Sequence, residues 1–332
     1  MSTGNHLFPN NSKLILIFKY LKVYREIQGE EHSALALNKI IESMEKCHTN
    51  IINGKQAKEI LKGVGQKSIF YIDSILSNKD PNKSGLRELD TLNEENRNKL
   101  LTIFEMVKIP GIGTITAKSY YENGFRNVEE LKQILLTHGT TRQQLGVEYM
   151  TELEKRIPRA KVELFINNFN VRLTEFNNHY QTRIRYDVGG SYCRGEETSG
   201  DIDIILWSLI PRQISSFSQL LIDYLKRCNL LKDTLSHGSM IYQGIAYIDE
   251  EFSSVRIDFK MLHDINEYYY AILYFTGPGK FNEEMREKAK SMGLTLGNNE
   301  MKITSTGEKI NVRCEKDIFD ILGIEWKPAN QR

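Results

Sequence analysis

The sequence predicts a multidomain α+β protein in which helical segments come first and a mixed sheet with helices follows. From about Lys13 to Tyr149, apolar residues recur at helical spacing, with no convincing run of alternating residues. After Pro158, one further long helix leads into segments that alternate apolar and polar residues and contain many β-branched side chains. A change of periodicity at this point predicts helical domains ahead of a sheet-containing one.

Turn-forming residues divide the chain further. The polar stretch at 78–85 contains Pro and Gly and predicts a boundary near residue 80. The predicted domains are 1–80 and 81–157, both helical, then 158–263 with the main sheet and 264–332 as a small α+β part. Strands are predicted at 183–188, 201–206, 244–248 and 255–261, and later helices at 268–275, 282–292 and 315–322.

Composition excludes several classes of protein but does not itself suggest a function. The 332 residues are 40% hydrophobic and 26% charged, as in a globular protein. The net charge of +1 gives no overall attraction to nucleic acid, so any such affinity must come from local clusters. The cysteines are widely spaced and predict neither a zinc site nor a disulfide framework: they are Cys47, Cys193, Cys228 and Cys314.

No membrane partner or export signal is expected. The longest apolar run near the start, residues 14–18, is far too short to span a bilayer and has no cleavage site beside it. We therefore expect an intracellular location, the nucleus if the source is a eukaryotic cell. A viral source is left open.

Two segments, 61–68 and 109–116, share a glycine-x-glycine turn that leads into a helix. Such a turn lets a phosphate come close to backbone N–H groups at a helix N-terminus, which bind it without reading base sequence. One copy alone would favour a purely structural turn, whereas two copies favour DNA binding. The predicted contacts are Gly63, Gly65, Lys67, Gly111 and Gly113.

The most informative stretch places Asp201 and Asp203 two residues apart in a strand-like segment. Side chains two apart on a strand point to the same face, so both carboxylates can reach one point beside the sheet. A third acid, Asp258, lies on a later apolar strand with the same alternation. A lone Asp-x-Asp would favour solvated acids at a strand edge, but the three together predict a site for two divalent ions.

A glycine-serine turn precedes these acids. Ser191 and Arg194 follow the pair Gly189 and Gly190 at a predicted helix start, where backbone donors and a guanidinium can bind a triphosphate. The segment from Gly190 to Asp203 is therefore predicted to bind a nucleotide as well as metal.

This segment resembles the nucleotidyltransferase signature, and together with both glycine turns it resembles DNA polymerase family X of the beta and lambda type. The similarity covers nearly the whole chain. Further matching stretches are 23–30, 154–159, 233–236, 274–277, 281–282 and 285–286. The resemblance implies an N-terminal 8 kDa-like domain followed by three polymerase subdomains, with the sheet as the palm.

The resemblance also implies site roles. Asp201 and Asp203 would bind two Mg²⁺ ions, or Mn²⁺, and Asp258 one of them. Arg256 would lie beside the last acid, tuning it and contacting DNA. The incoming dNTP triphosphate would be held by Arg156, Gly190, Ser191, Arg194 and Gly200.

Other roles concern the sugar, the base pair and the turns. Tyr274 and Phe275 would line the sugar site and exclude a ribose 2′-hydroxyl, although plain core packing would be preferred for them outside this family. Asn282 and Arg286 would face the nascent base pair. A Na⁺ or K⁺ ion would bind each turn through the backbone carbonyls of Glu59, Leu61 and Val64, and of Val107, Ile109 and Ile112.

The chain departs from the family pattern in places. Where beta and lambda members carry a Schiff-base lysine, this chain has Tyr71, which cannot do amine chemistry, so 5′-deoxyribose phosphate lyase activity is expected to be weak or absent. Cys193 replaces a common arginine beside the phosphate loop. The short connection from Ile248 to Val255 lacks the long loop of template-independent members, which favours template-directed synthesis.

The implied activity is dNTP addition to a primer 3′-hydroxyl by a monomer bound to gapped or nicked double-stranded DNA, in base excision or break repair. One alternative is a different nucleotidyltransferase, acting on RNA or a small molecule. Another is a noncatalytic DNA-binding scaffold that has kept the fold.

Overall fold

The computed structural model of the protein describes residues 8–332 except residues 46 and 48. Two compact units make up the chain, Met1–Met150 and Thr151–Arg332. The four-part division expected from the sequence is finer than this and stays a prediction, and residues 1–7 of its first part lie outside the described residues. Among the helices that the structure describes, none has the length and apolar character needed to cross a bilayer.

The first unit is helical, as the sequence predicts. In the described part of this unit the helices are α1 Pro9–Ile27, α2 Glu31–Glu45, α3 Gly54–Ile60, α4 Gln66–Ser77, α5 Arg87–Asp90, α6 Glu94–Val107, α7 Thr114–Glu122, α8 Val128–His138 and α9 Thr141–Glu148. Their apolar faces meet in one core, to which Phe18, Ile72 and Ile103 each contribute a fully buried side chain. Burial of these faces rather than helix propensity stabilises such short helices.

The second unit mixes helices and strands. After α10 (Met150–Leu153) its elements are β1 Ile157–Pro158, α11 Arg159–Tyr180, β2 Arg185–Val188, α12 Gly190–Cys193, β3 Thr198–Ser199, β4 Ile202–Trp207, α13 Gln213–Arg227, β5 Leu231–His237, β6 Ile241–Ala246, β7 Val255–Met261, α14 Tyr268–Thr276, α15 Gly279–Ser291, β8 Leu294–Leu296, β9 Met301–Ile303, β10 Lys309–Ile310 and α16 Glu315–Leu322. This confirms the α+β class.

The main sheet has five strands in the order β2-β4-β7-β6-β5. Strands β4 and β7 are parallel, and the other neighbouring pairs are antiparallel. Ile204 of β4 and Phe259 of β7 point into a core formed with α11 and α13. Because side chains alternate along a strand, the residues just before them, Asp203 and Asp258, lie on the opposite face. The alternation of side chains along β4 and β7 thus places both acids on the face of the sheet opposite this core.

Three local expectations need correction. Asp201 lies just before β4, which begins at Ile202, so it is not itself a strand residue. Strand β6 begins at Ile241 and ends at Ala246, earlier than the predicted 244–248, because its register is set by pairing with β7. Strand β5 was not expected, since its residues lack clean alternation and its pairing with β6 contains register shifts.

The C-terminal part of this unit has its own core. Strands β8, β9 and β10 form a small antiparallel sheet, and α14, α15 and α16 contribute buried residues such as Leu273, Met285 and Phe319. Helix α14 also contacts the main sheet through Ala271, which packs with Ile205 of β4. Its last turn therefore lies near the acidic face of the sheet.

Candidate active site

The three acids singled out by the sequence lie together. Asp203 and Asp258 are directly opposite each other in the parallel pair β4/β7. One oxygen from each of these carboxylates and one from Asp201 lie within 4.8 Å of one another. Hard divalent cations prefer such oxygen ligands. The arrangement could hold a metal ion.

The loop that follows β2 requires glycine where it passes the three acids. Gly190 has φ +62°, and a Cβ added there would overlap Oδ2 of Asp203 and lie 3.1 Å from its Cγ. At Gly189 a Cβ would lie 2.9 Å from the carbonyl oxygen of Phe275. The backbone N–H of Gly189 donates to the carbonyl of Asp203 at 2.9 Å. The glycine pair thus lets β4, the loop and α14 approach closely.

Asp258 is held by donors on both sides. The Arg256 Nη2 donates to its Oδ2 at 3.0 Å and Nε to its Oδ1 at 3.2 Å. Gln243 lies opposite Asp258 on β6, and its Nε2 donates to Oδ2 at 3.0 Å. These bonds orient the carboxylate toward the other two acids, as supporting residues do in metal sites.

The acids repel one another when no cation is bound. Burial, with the charges of Asp201 and Asp258, raises the pKa of Asp203 to about 8. Burial also raises the pKa of Asp201, and the positive charge of Arg256 only partly offsets this. A bound cation would relieve both penalties, because it favours the charged carboxylates. The donor set therefore fits a divalent metal.

The predicted triphosphate residues form a second cluster beside the acids. Ser191 and Arg194 lie in and just after the short helix α12, and the Ser191 hydroxyl donates to Oγ of Ser199 at 2.9 Å. Arg194 Nη1 donates to the carbonyl of Thr276 at 2.7 Å, which connects the loop to the end of α14. The loop and α14 therefore meet at this guanidinium.

Arg156 lies on the other side of the loop. Its Nη2 donates to the Thr198 carbonyl at 2.6 Å and its Nε to Thr198 Oγ1 at 3.2 Å. A Cβ at Gly200 would lie 3.1 Å from Arg156 Nη1, so the glycine leaves room for the guanidinium. The positive charges of Arg156 and Arg194 act on Asp201, where they offset a small part of the rise in its pKa that burial causes.

Of the four residues expected at the sugar and base pair, three line one recess at the end of α14, and Phe275 instead packs toward the main sheet. Tyr274, Asn282 and Arg286 border it, and Tyr274 is 38% exposed. Asn282 is buried and its Nδ2 donates to the Tyr274 carbonyl at 2.7 Å, so this amide also fixes the helix end. The Phe275 ring packs edge-on against Tyr274 with ring centroids 5.3 Å apart. The Arg286 guanidinium lies 5.8 Å from the Tyr274 ring centroid.

Both glycine turns have the same geometry in the first unit. Gly63 and Gly111 have φ of +83° and +88°, which favours glycine. Gly65 and Gly113 cap the helices α4 and α7 with ordinary negative φ. Apart from the adjoining backbone, no described atom lies within 4 Å of a Cβ added at Gly65 or Gly113. The fold therefore does not itself require glycine at these two positions.

The carbonyls expected to bind monovalent cations belong to residues around these turns. Glu59 lies near the end of α3, while the side chains of Leu61, Val64, Ile109 and Ile112 are buried in the core of the unit. The Ile109 carbonyl already accepts a hydrogen bond from the Ile112 N–H at 3.0 Å. Val107 is the last residue of α6. The cation role of these carbonyls stays a prediction.

Tyr71 is enclosed rather than presented to solvent. Its side chain is buried, and its hydroxyl donates to Glu88 Oε1 at 2.7 Å. Arg25 forms an ion pair with the same Glu88. Lys67 lies above the Tyr71 ring, with Nζ 5.6 Å from the ring centroid. Tyr71, which stands where the resembled family carries a lysine, thus belongs to a hydrogen-bonded network.

Sequence reasoning missed two polar residues of this site. Gln243 could be recognised only once β6 was known to lie beside β7, because Gln243 and Asp258 belong to different strands. Glu196 binds Arg194, with Oε1 at 2.6 Å from Nη2. The sequence alone could have drawn attention to Glu196, because an acid repels the anion that this loop is predicted to bind.

Comparison with known families gives three consecutive matches. Residues 105–154 match the fingers domain of DNA polymerase lambda, residues 156–264 the DNA polymerase beta palm, and residues 271–332 the DNA polymerase beta thumb. The acids and the phosphate loop lie in the palm match, and Tyr274 to Arg286 in the thumb match. The order of the matches follows the order of the structural parts.

Individual relatives align over almost the whole chain. DNA polymerase lambda of Arabidopsis thaliana is 27% identical over 97% of this chain and 62% of its own length. DNA polymerase lambda of Rattus norvegicus is 26% identical over 92% and 53%. DNA polymerase/3′-5′ exonuclease PolX of Bacillus subtilis is 22% identical over 96% and 54%. The chain thus spans little more than half the length of the curated relatives it matches.

Proposed function

This chain belongs to DNA polymerase family X, and we propose that it is a template-directed DNA polymerase that fills short gaps in DNA. The observation that carries the proposal is the pairing of Asp203 with Asp258 across parallel strands, with Asp201 completing a triad of oxygens within 4.8 Å. A scaffold that only bound DNA would gain nothing from three such acids, because their mutual repulsion costs stability.

The triad would hold two divalent ions, Mg²⁺ or Mn²⁺. When bound, such ions supply a Lewis acid that activates a primer 3′-hydroxyl and neutralises charge on the leaving pyrophosphate. Asp201 and Asp203 would bind both ions, while Asp258, held by Arg256 and Gln243, would face the primer end. The protein's own contribution is to fix these carboxylates before substrate arrives.

The loop between β2 and β4 would bind the dNTP triphosphate. Ser191, Arg194 and Arg156 lie beside the triad, and guanidinium groups suit phosphate because they donate two parallel hydrogen bonds. Backbone N–H groups at Gly190 and Gly200 would add donors without a side chain in the way. This arrangement supports in-line transfer to the primer end.

The sugar and base of the nucleotide would lie at the end of α14. Asn282 holds the Tyr274 carbonyl in place, and the rings of Tyr274 and Phe275 pack against each other. A backbone fixed in this way would leave little room for a ribose 2′-hydroxyl, which favours dNTPs. Arg286 would contact the base pair from the minor groove.

The two glycine turns would bind the DNA backbone. Gly65 and Gly113 have backbone angles open to any residue, with no described neighbour that a methyl group would strike. Glycine there is explained if a phosphate approaches the backbone closely. Lys67 would add electrostatic attraction. Gly63 and Gly111 instead serve the turn itself, because of their positive φ.

Lyase chemistry is proposed to be weak or absent. A Schiff base needs an amine, and the buried Tyr71 hydroxyl is bonded to Glu88. Repair of an abasic site by this chain would then need a separate lyase. The proposed location is inside the cell, in the nucleus if the source is a eukaryotic cell.

The test is primer extension on gapped DNA with a 5′-phosphate, dNTPs and Mg²⁺, repeated with Mn²⁺. Asp258→Ala should abolish extension. Asp223→Ala, which removes an α13 acid bonded to Gln219 of the same helix, should extend normally. Tight binding of the gap without extension by the unaltered protein would instead favour a noncatalytic scaffold. Transfer to RNA or a small molecule alone would favour another nucleotidyltransferase.

The turns are tested by Gly65→Ala and Gly113→Ala, with binding of gapped DNA measured by fluorescence anisotropy. We expect both variants to unfold at the same temperature as the unaltered protein or slightly higher, because the methyl group meets open space and restricts the unfolded chain. Both should bind DNA more weakly. Unchanged DNA binding would show that these turns do not contact DNA.

A further inference from the structure

Glu196 occupies the hydrogen-bonding edge of Arg194. Its Oε1 accepts from Nη2 at 2.6 Å and from Nε at 3.1 Å. Its other oxygen, Oε2, lies 3.9 Å from Nη2 of Arg156. One carboxylate therefore faces both guanidinium groups to which a role in triphosphate binding is assigned above.

The two arginines do not need Glu196 to keep their positions. Arg194 is fixed from its other side by the Thr276 carbonyl, at 2.7 Å from Nη1. Arg156 is fixed by two hydrogen bonds to Thr198. If Glu196 moved away, both guanidinium groups would stay anchored and would present free donors to the site.

Glu196 can move away without disturbing the loop. Its side chain is 36% exposed, whereas that of Arg194 is 14% exposed. The backbone N–H of Glu196 donates to the Ser191 carbonyl at 3.1 Å, so the loop is held by its main chain. A rotation of this one side chain toward solvent would be enough to expose the arginine edge.

We propose that Glu196 is an internal competitor of the triphosphate, which neutralises Arg194 and Arg156 in the free protein and must be displaced when a nucleotide binds. A carboxylate and a phosphate use the same bidentate edge of a guanidinium, so both cannot occupy it together. Competition by Glu196 thereby lowers the affinity for nucleotides. Weakly charged anions are disfavoured relative to a triphosphate, because they displace the carboxylate less readily. This inference rests on the proposed function only for the identity of the ligand.

The adjacent acid provides a matched control. Glu197 is exposed, and within the described residues no hydrogen bond or ion pair of its side chain is found. A change of Glu197 to glutamine alters the net charge of the loop equally. It leaves the edge of Arg194 covered.

The experiment measures binding of inorganic triphosphate to the full chain by calorimetry in the presence of Mg²⁺ at fixed ionic strength. Glu196→Gln and Glu196→Ala should bind about three- to tenfold more tightly, the effect expected from removing a partly exposed ion pair that competes with the ligand. Glu197→Gln should bind like the unaltered protein. Thermal unfolding of each variant would verify that it is folded.

A parallel titration uses dTTP with gapped DNA whose primer ends in a dideoxynucleotide, so that binding is measured without chemistry. The same tightening is expected there. Unchanged or weaker binding of triphosphate by either Glu196 variant, or equal tightening in Glu197→Gln, would overturn the proposal.

Extension assays separate this proposal from the proposed function. Tighter triphosphate binding in a protein that extends no primer would leave Glu196 as a competitor in a different nucleotide-binding protein. If the unaltered protein extends a primer and the Glu196 variants bind triphosphate as it does, the competitor role of Glu196 is refuted while the polymerase function stands.

Discussion

Replacement of Gly190 by alanine should separate catalysis from folding. The added methyl group overlaps Oδ2 of Asp203 and lies 3.1 Å from its Cγ, so the carboxylate must recede. Carbon atoms in contact are normally about 3.5 to 4.0 Å apart. A displacement of about 1 Å at a reacting group can cost roughly 100-fold in rate. We therefore expect extension by this variant to fall by about that factor or more.

Stability must be accounted for separately, because Gly190 has φ +62°. An alanine in the left-handed region costs about 1–2 kcal/mol whatever its surroundings. Gly293 provides the control, since it has φ +73° and no described atom within 4 Å of an added Cβ. Gly293→Ala should lose similar stability, measured by chemical denaturation, and keep its extension rate and its Mg²⁺ dependence.

The assay is single-turnover extension of a gapped primer over a range of Mg²⁺ concentrations. Gly190→Ala should show a lower maximal rate and a need for more Mg²⁺, because the Asp203 carboxylate is displaced. Extension by Gly190→Ala within a few-fold of Gly293→Ala would refute the reasoning, since it would mean that the loop yields and the acid does not move.

Three further outcomes are expected. Gln243→Leu should weaken metal binding about 10- to 100-fold, judged from the Mg²⁺ dependence of extension, because Asp258 loses a donor that orients it. The Asp203 pKa of about 8 exceeds its ordinary value of 3.8, so folding favours the protonated acid. In metal-free protein, the contribution of protonated Asp203 to folding stability is therefore complete below about pH 4 and lost by about pH 8. Mg²⁺ binding at pH 7 should release a proton, detectable by calorimetry in buffers of different ionisation enthalpy. Tyr71→Lys alone should give no borohydride-trapped adduct on incised abasic DNA, because the Glu88 carboxylate keeps the new amine protonated.

What the sequence by itself determined about this protein is local in character. Helical spacing predicted that the first unit is helical, although not where each helix begins and ends, because burial of one face acts on residues close in the chain. Alternation predicted β7 at its observed bounds, Val255–Met261, and the terminal helix was likewise predicted at its observed bounds, Glu315–Leu322. The two glycine turns and the three acids were recognised in the same way, since each motif is short. No long-range information was needed for these predictions.

Only the tertiary structure decided which distant residues meet. Strand order placed Gln243 beside Asp258, and the contact of α14 with the loop placed the Thr276 carbonyl against Arg194. Strand β5 and the early start of β6 likewise followed from pairing rather than from their own residues. The physical reason is that hydrogen bonds between strands are made by backbone groups common to all residues, so the pairing partner is chosen by packing of the whole sheet.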